Sequence, residues 1–151
     1  MERRFPAMFG DLEQVNISLN EEKAKNSPGI NVLKNVHSGG PALMVSAGPS
    51  MDNVFPYLRH LQNNFVLTCV DTAFPALLKN GIHPDFVFSL DPQYESAFHF
   101  AEYTNGSTKL IYTPTVNHNV LKNFPGECFV IYKEGNALSQ HEEKKQKGTT
   151  K

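Results

Sequence analysis

The chain reads as an α/β fold, Rossmann-like and three-layered, with a mostly parallel sheet of about five strands. Three observations predict this. Short apolar runs recur along the chain, each bounded by turn residues. Most are followed by a helical pattern rather than by a tight hairpin turn. Polar residues gather where the apolar runs end, at Ser46–Ser50, Asp71–Thr72, Asp91–Gln93 and Thr113–Thr115. Strands alternating with helices imply a parallel sheet with right-handed crossovers, whose ligands bind at the carboxyl ends of the strands.

Each element follows from its residues. Positions 1–40 form a polar arm or lead-in. Phe5, Met8, Phe9, Leu12 and Val15 recur at helical spacing and predict a helix near 5–16. Asn26-Ser27-Pro28-Gly29 is a turn, and Val32, Leu33 and Val36 suit a short amphipathic piece. Strand one covers about 42–46. The helix after it buries Val54, Leu58 and Leu61. Pro56 belongs in a first turn, which predicts Asn53 as N-cap and a loop through Asp52. Strand two is about 65–70. Thr72 is the expected N-cap of the next helix and Gly81 its C′ residue. Strand three is about 86–90, and Asp91-Pro92 looks like a cap and N1 proline opening a helix over about 92–103. Strand four is about 109–113, a short helix uses Val116, Val120 and Leu121, and strand five is about 128–132. The segment 136–151 is expected to be a disordered polar tail; His141–Lys151 holds four lysines, two glutamates and no aliphatic or aromatic side chain.

Composition narrows the function. The 151 residues suffice for a core, 40% are hydrophobic and the net charge is -1. Between 42 and 100, Arg59 and Lys79 stand against Asp52, Asp71, Asp85, Asp91 and Glu95. Such a balance disfavours nucleic acid and an anionic membrane, and leaves a phosphate to backbone donors or a metal. Cys69 and Cys128 lie in apolar runs without CxxC spacing, which reads as buried thiols. No apolar stretch approaches the length of a membrane span, and the N-terminus lacks a signal-peptide core, so a cytoplasmic protein is expected.

Several signatures fail. There is no Walker A lysine, and only Gly48 lies in the first strand-to-helix turn, so a dinucleotide fingerprint is absent. A nucleophile elbow beginning at Gly48 would end on Asp52, the wrong residue. The six histidines show no metal-ligand pairing. What remains is the small-residue turn Ala47-Gly48-Pro49-Ser50 after strand one, which reads either as a plain strand-to-helix turn or, better, as a cradle for a phosphate or nucleotide. Asp71 and Asp91 each end a strand and can cap a helix, hold a ligand hydroxyl or hold a metal. Asp85 precedes its strand and reads as structural.

Three motifs then occur in order. They are Pro-Ala-Leu-Met-Val-Ser-Ala-Gly-Pro-Ser-Met-Asp from Pro41, Val-Asp-Thr-Ala from Val70, and Leu-Leu-Lys-Asn-Gly-Ile-His-Pro-Asp-Phe-Val-Phe-Ser-Leu-Asp-Pro-Gln from Leu77. Together, over 41–135, they resemble the motility accessory factor family, whose shared domain is also described as MptE-like after the archaeal 6-hydroxymethylpterin diphosphokinases. That resemblance implies a Rossmann-type domain related to bacterial CMP-sugar sialyltransferases. It places Gly48, Pro49 and Ser50 on the nucleotide-binding loop and Asp71 and Asp91 on the family's strand-end aspartates. Ala47, Asp71 and Thr72 complete the nucleotide set; Asp91, Gln93, Thr113 and Thr115 form the substrate set; Asp71 and Asp91 are the catalytic candidates. The family pattern dissolves near Gly135, so 41–135 reads as an incomplete domain with apolar surface that self-association would cover.

Three functions follow as expectations. One is transfer of a nonulosonic, sialic-acid-like sugar from a CMP donor to flagellin or a surface glycan. The second is transfer of diphosphate from ATP to 6-hydroxymethylpterin, where Asp71 and Asp91 would hold Mg2+. The third is a non-catalytic truncated interaction domain.

Overall fold

The computed structural model describes residues 5–132, with side chains from Gly10 onward. The expected tail at 136–151 lies outside the described residues. Five strands form one sheet: β1 (Ala42–Val45), β2 (Val66–Val70), β3 (Phe86–Ser89), β4 (Lys109–Tyr112) and β5 (Cys128–Val130). All four neighbouring pairs are parallel and the spatial order is that of the chain, β1-β2-β3-β4-β5. The α/β class and the five parallel strands of the sequence reading are therefore observed.

Sequential order fixes where the crossovers lie. Right-handed connections that always step the same way must all pass over one face. The core shows this directly. Met51, Phe55 and Leu58 of α2 (Met51–Leu61), Phe74 and Leu77 of α3 (Phe74–Lys79), and Val120 and Leu121 of α4 (His118–Asn123) share one cluster. The strand residues beneath them are Leu67, Cys69, Val87, Leu110, Tyr112, Cys128 and Val130. Phe74, Phe100, Tyr103 and Phe124 fill its centre, with ring centroids 5.0–5.7 Å apart. The opposite face carries Val66, Phe86, Phe88, Ile111 and Phe129, packed by Ile30 and Leu33 of a 3-10 turn, Ile30–Leu33.

Register sets these faces. Thr68, Phe86 and Lys109 stand in one cross-strand row and Val70, Phe88 and Ile111 in the next. Cys69, Val87 and Leu110 point the other way, as alternation requires. Cys69 and Cys128 are buried free thiols, as expected. Burial pushes the Cys69 thiol up to about 12, with the nearby Asp71 charge acting in the same direction.

Four local expectations change. First, α2 starts at Met51, with Ser50 rather than Asn53 at its N-cap position, and Pro56 lies inside it. The loop therefore ends at Ser50. Met51, Phe55 and Leu58 are buried on one face while Pro56 is exposed, and so are Val54 and Leu61, which the spacing places in the core. Packing three side chains on the sheet outweighs the hydrogen bond that Pro56 cannot donate. Second, Thr72 does not cap α3. It lies in a 3-10 turn, Asp71–Ala73, that leads directly into the helix, where Pro75 suits the first turn. Gly81 does hold the left-handed conformation, φ 70°, just past the helix. Third, the expected helix over 92–103 is a 3-10 segment, Tyr94–Phe100, preceded by Gln93 in extended conformation. Asp91 does not cap it.

Fourth, the N-terminal helix is longer than its apolar spacing indicates. α1 runs Phe5–Asn26. Among its described side chains the buried positions are Asn16, Asn20 and Ala24, four residues apart on one face, while Val15 and Leu19 are exposed. Two asparagines thus form the docking stripe, which apolar periodicity cannot reveal.

Candidate functional site

Because every strand is parallel, the segments after β1, β2, β3 and β4 stand along one sheet edge in chain order. Neighbouring strands are about 4.8 Å apart, so the first three strand ends span roughly 10 Å. With all crossovers stepping the same way, the edge has no point where neighbouring connections part to opposite faces. It is a shelf rather than a switch-point crevice.

At the β1 end, Ser46, Ala47, Gly48, Pro49 and Ser50 are exposed. The turn is held by Met51 N–H donating to Gly48 O at 3.0 Å and Asn53 N–H donating to Ser50 O at 3.2 Å. Ser50 uses no side-chain bond to cap α2. After β2, half-buried Asp71 receives two donors at 2.8 Å each: Thr72 N–H on Oδ1 and the Ser89 hydroxyl on Oδ2. Ser89 ends β3 and is buried. The pair therefore ties two strand ends together and fixes the carboxylate plane. Thr72 is exposed.

After β3, Asp91 and Gln93 are exposed, and Asp91 Oδ1 accepts from Gln93 N–H at 2.9 Å. The Asp91 carbonyl accepts from Asn117 N–H at 3.1 Å, joining the β3 and β4 loops. Thr113 and Thr115 share a hydroxyl hydrogen bond at 2.7 Å, Thr113 buried and Thr115 half-buried. The sequence-derived site residues thus line one edge, those of the first three loops more open than those of the fourth. Asp85 lies at the opposite edge, where Oδ2 accepts from Leu67 N–H at 2.8 Å. Its structural reading is met.

The sequence reading missed the clamp that orders this edge. Asn16 Nδ2 donates to Pro92 O at 3.0 Å and Thr115 O at 3.1 Å. Asn20 Nδ2 donates to Pro114 O at 2.9 Å and Val116 O at 2.8 Å. Asn20 Oδ1 lies 3.1 Å from His118 Nδ1. The two carbonyl partners assign the Asn20 amide orientation, and an amide oxygen only accepts. His118 Nδ1 is therefore the donor in this contact. Two exposed rings were also passed over: Tyr94 and Phe98, 58% and 61% exposed, pack edge to face at 5.1 Å just past Gln93. Among the described residues, no group of three or more His, Cys, Asp or Glu is arranged to hold a metal ion, and no helix is long and apolar enough to cross a membrane.

A single parallel sheet with crossovers on one face and polar loops along its carboxyl edge defines an α/β domain of the kind that binds ligands at its strand ends. The family described as 6-hydroxymethylpterin diphosphokinase MptE-like matches residues 16–151, and the chain belongs to that family. The match begins at the clamp residue Asn16. An uncharacterized protein of Treponema pallidum (strain Nichols) is 36% identical over 64 residues, 42% of this chain and 30% of that protein. The structure of the MAf glycosyltransferase from Magnetospirillum magneticum AMB-1 superposes with a TM-score of 0.60 at 24% identity. It covers 84% of this chain and 20% of that one, a likeness of fold. The chain spans less than a third of either relative's length.

Proposed function

We propose that the carboxyl edge of the sheet binds a nucleotide and that the domain serves transfer of a nonulosonic sugar from a CMP donor to flagellin or a surface glycan. The observation that carries the reading is the alignment of the exposed Ser46–Ser50 turn with Asp71 and Asp91 on consecutive loops of one edge. In this reading the main-chain N–H groups of Ala47, Gly48 and Ser50 receive the phosphate, which suits an edge short of basic side chains. Asp71, held by Thr72 and Ser89, orients ribose or sugar hydroxyls with Thr72. Asp91, Gln93 and Thr115 face the substrate, with Thr113 behind them.

The reaction breaks the bond between the anomeric carbon and the CMP phosphate oxygen as an acceptor hydroxyl oxygen attacks that carbon. CMP keeps the bonding electrons, and the acceptor's proton passes to a base. Asp71 and Asp91, on neighbouring loops of that edge, are the candidate bases.

The family's description supports a second reading, diphosphate transfer from ATP to a pterin hydroxymethyl group. Mg2+ would then be held by Asp71 and Asp91 together with substrate phosphates, a donor set the ion commonly takes. Bound there, it would neutralise phosphate charge.

Calorimetry with CMP and with ATP, with and without magnesium, separates the readings. The first expects metal-independent binding that prefers CMP. Magnesium-dependent ATP binding without a response to CMP would replace it with the second. Binding of neither nucleotide would leave a non-catalytic interaction domain.

A further inference from the structure

The two edges of the sheet are treated differently by the chain itself. At β5, Val130 N–H donates to Pro28 O at 3.0 Å, and Gly29 forms a parallel bridge with Val130. The segment following α1 thus runs beside that edge. At β1, Val66 N–H donates to Pro41 O at 2.9 Å, so Pro41 and Leu43 turn their main-chain groups toward β2. Alternation then turns those of Ala42 and Met44 outward, where no further strand pairs among the described residues. The strand reads Ala-Leu-Met-Val, with no charged side chain to discourage pairing.

The helix above this edge matches it. Arg59 Nε donates to Asn80 O at 3.0 Å, so that flank of α2 faces α3. Val54, Tyr57 and Leu61 lie on the opposite flank at helical spacing, and they are 41%, 69% and 44% exposed. They overhang the β1 edge on the face of Leu43, 37% exposed, while Met44, 57% exposed, lines the same edge on the other face. Together these five side chains offer on the order of 500 Å2 per copy. Doubled, that is about the 1,000 Å2 at which specific interfaces begin.

We propose that this surface pairs with a second copy of the chain, β1 against β1 antiparallel, about a two-fold axis passing Leu43. Ala42 of one copy then lies opposite Met44 of the other, and each such pair exchanges both N–H···O bonds. The same axis brings the two α2 flanks together, Val54 and Leu61 of one across from Leu61 and Val54 of the other, with Tyr57 at the centre. The contact is isologous and closes at two copies. Both candidate sites remain open, because the axis passes through the sheet and the strand-end loops lie beyond it.

The test is sedimentation equilibrium of the full chain over a concentration series, paired with hydrogen exchange at Ala42 and Met44. A mass of about twice 16.9 kDa with both amides protected is the expected result. Met44→Lys and Tyr57→Lys, both on exposed positions, should return the mass to one chain with an unchanged circular dichroism spectrum. A monomer throughout the series overturns the proposal. So does a dimer that survives both substitutions, a dimer whose Ala42 and Met44 amides exchange freely, or a mass that climbs past two copies.

Discussion

Asn20→Ala probes the clamp that orders the edge. Asn20 is fully buried, and its amide serves two main-chain carbonyls and the His118 ring. Truncation leaves the carbonyls of Pro114 and Val116 and the Nδ1 proton of His118 without a partner. An orphaned buried polar group costs about 1–3 kcal/mol, and partial entry of water lowers that figure for each. The loss should be about 3–5 kcal/mol, a large share of the roughly 5–15 kcal/mol that a domain has. At about 2–4 °C per kcal/mol for a chain of this size, the thermal midpoint should fall by about 10 °C. Asn20→Asp is the sharper control. It keeps the volume but turns a carboxylate toward two carbonyl oxygens, so it should cost at least as much as alanine. Ser18→Ala, on an exposed local hydrogen bond to Gln14 O, should change little. Thermal and urea denaturation followed by circular dichroism measure all three. An Asn20→Ala midpoint within a degree of the parent would refute the docking of α1 by its asparagines.

Other outcomes follow from particular contacts. Pro56→Ala should raise stability by about 1–2 kcal/mol, since it restores a donor inside α2; a lowered urea midpoint would show that the proline geometry is needed. Gly126→Ala should destabilise strongly, because a Cβ there would sit 2.4 Å from Thr108 O; a soluble variant with an unchanged melt would contradict the close approach. Cys69 and Tyr112 both have folded-state values raised to about 12, chiefly by burial, from 9.0 and 10.0. A raised value favours the protonated form in the fold. The stability this contributes is complete below about pH 9 and is lost as pH rises toward 12. Denaturation midpoints should therefore decline above pH 9, and a thiol reagent at pH 8 should label the native protein only slowly. A rapid phase of labelling in native buffer would refute the burial of both thiols.

The strand pattern was legible because each parallel strand is an apolar run closed by turn residues, and parallel strands need a long crossover. Strand ends fall within a residue or two of their predicted bounds at Val45, Val70, Ser89, Tyr112 and Val130. The polar edge was legible for the same reason: Ser50, Asp71 and Asp91 each follow such a run. Pro56 misled because its exposed position in α2 depends on tertiary burial of Met51, which local propensity does not contain. Asn16 and Asn20 were invisible to a search for apolar periodicity, since α1 docks by amides on carbonyls. Their four-residue spacing, continued by Ala24, was the available signal. Strand order was not in the pattern either, and it decides that the site is a shelf rather than a crevice.

The claim that the carboxyl edge holds a nucleotide is tested most directly by titrating the 15N-labelled chain with CMP and following its amide signals. Shifts should concentrate at Ala47, Gly48, Ser50, Asp71, Thr72, Asp91 and Gln93, with Asn63, Asn64 and Asp85 at the opposite edge unmoved. Shifts centred on that opposite edge, or on the face lined by Leu33, Val66 and Phe86, would contradict it.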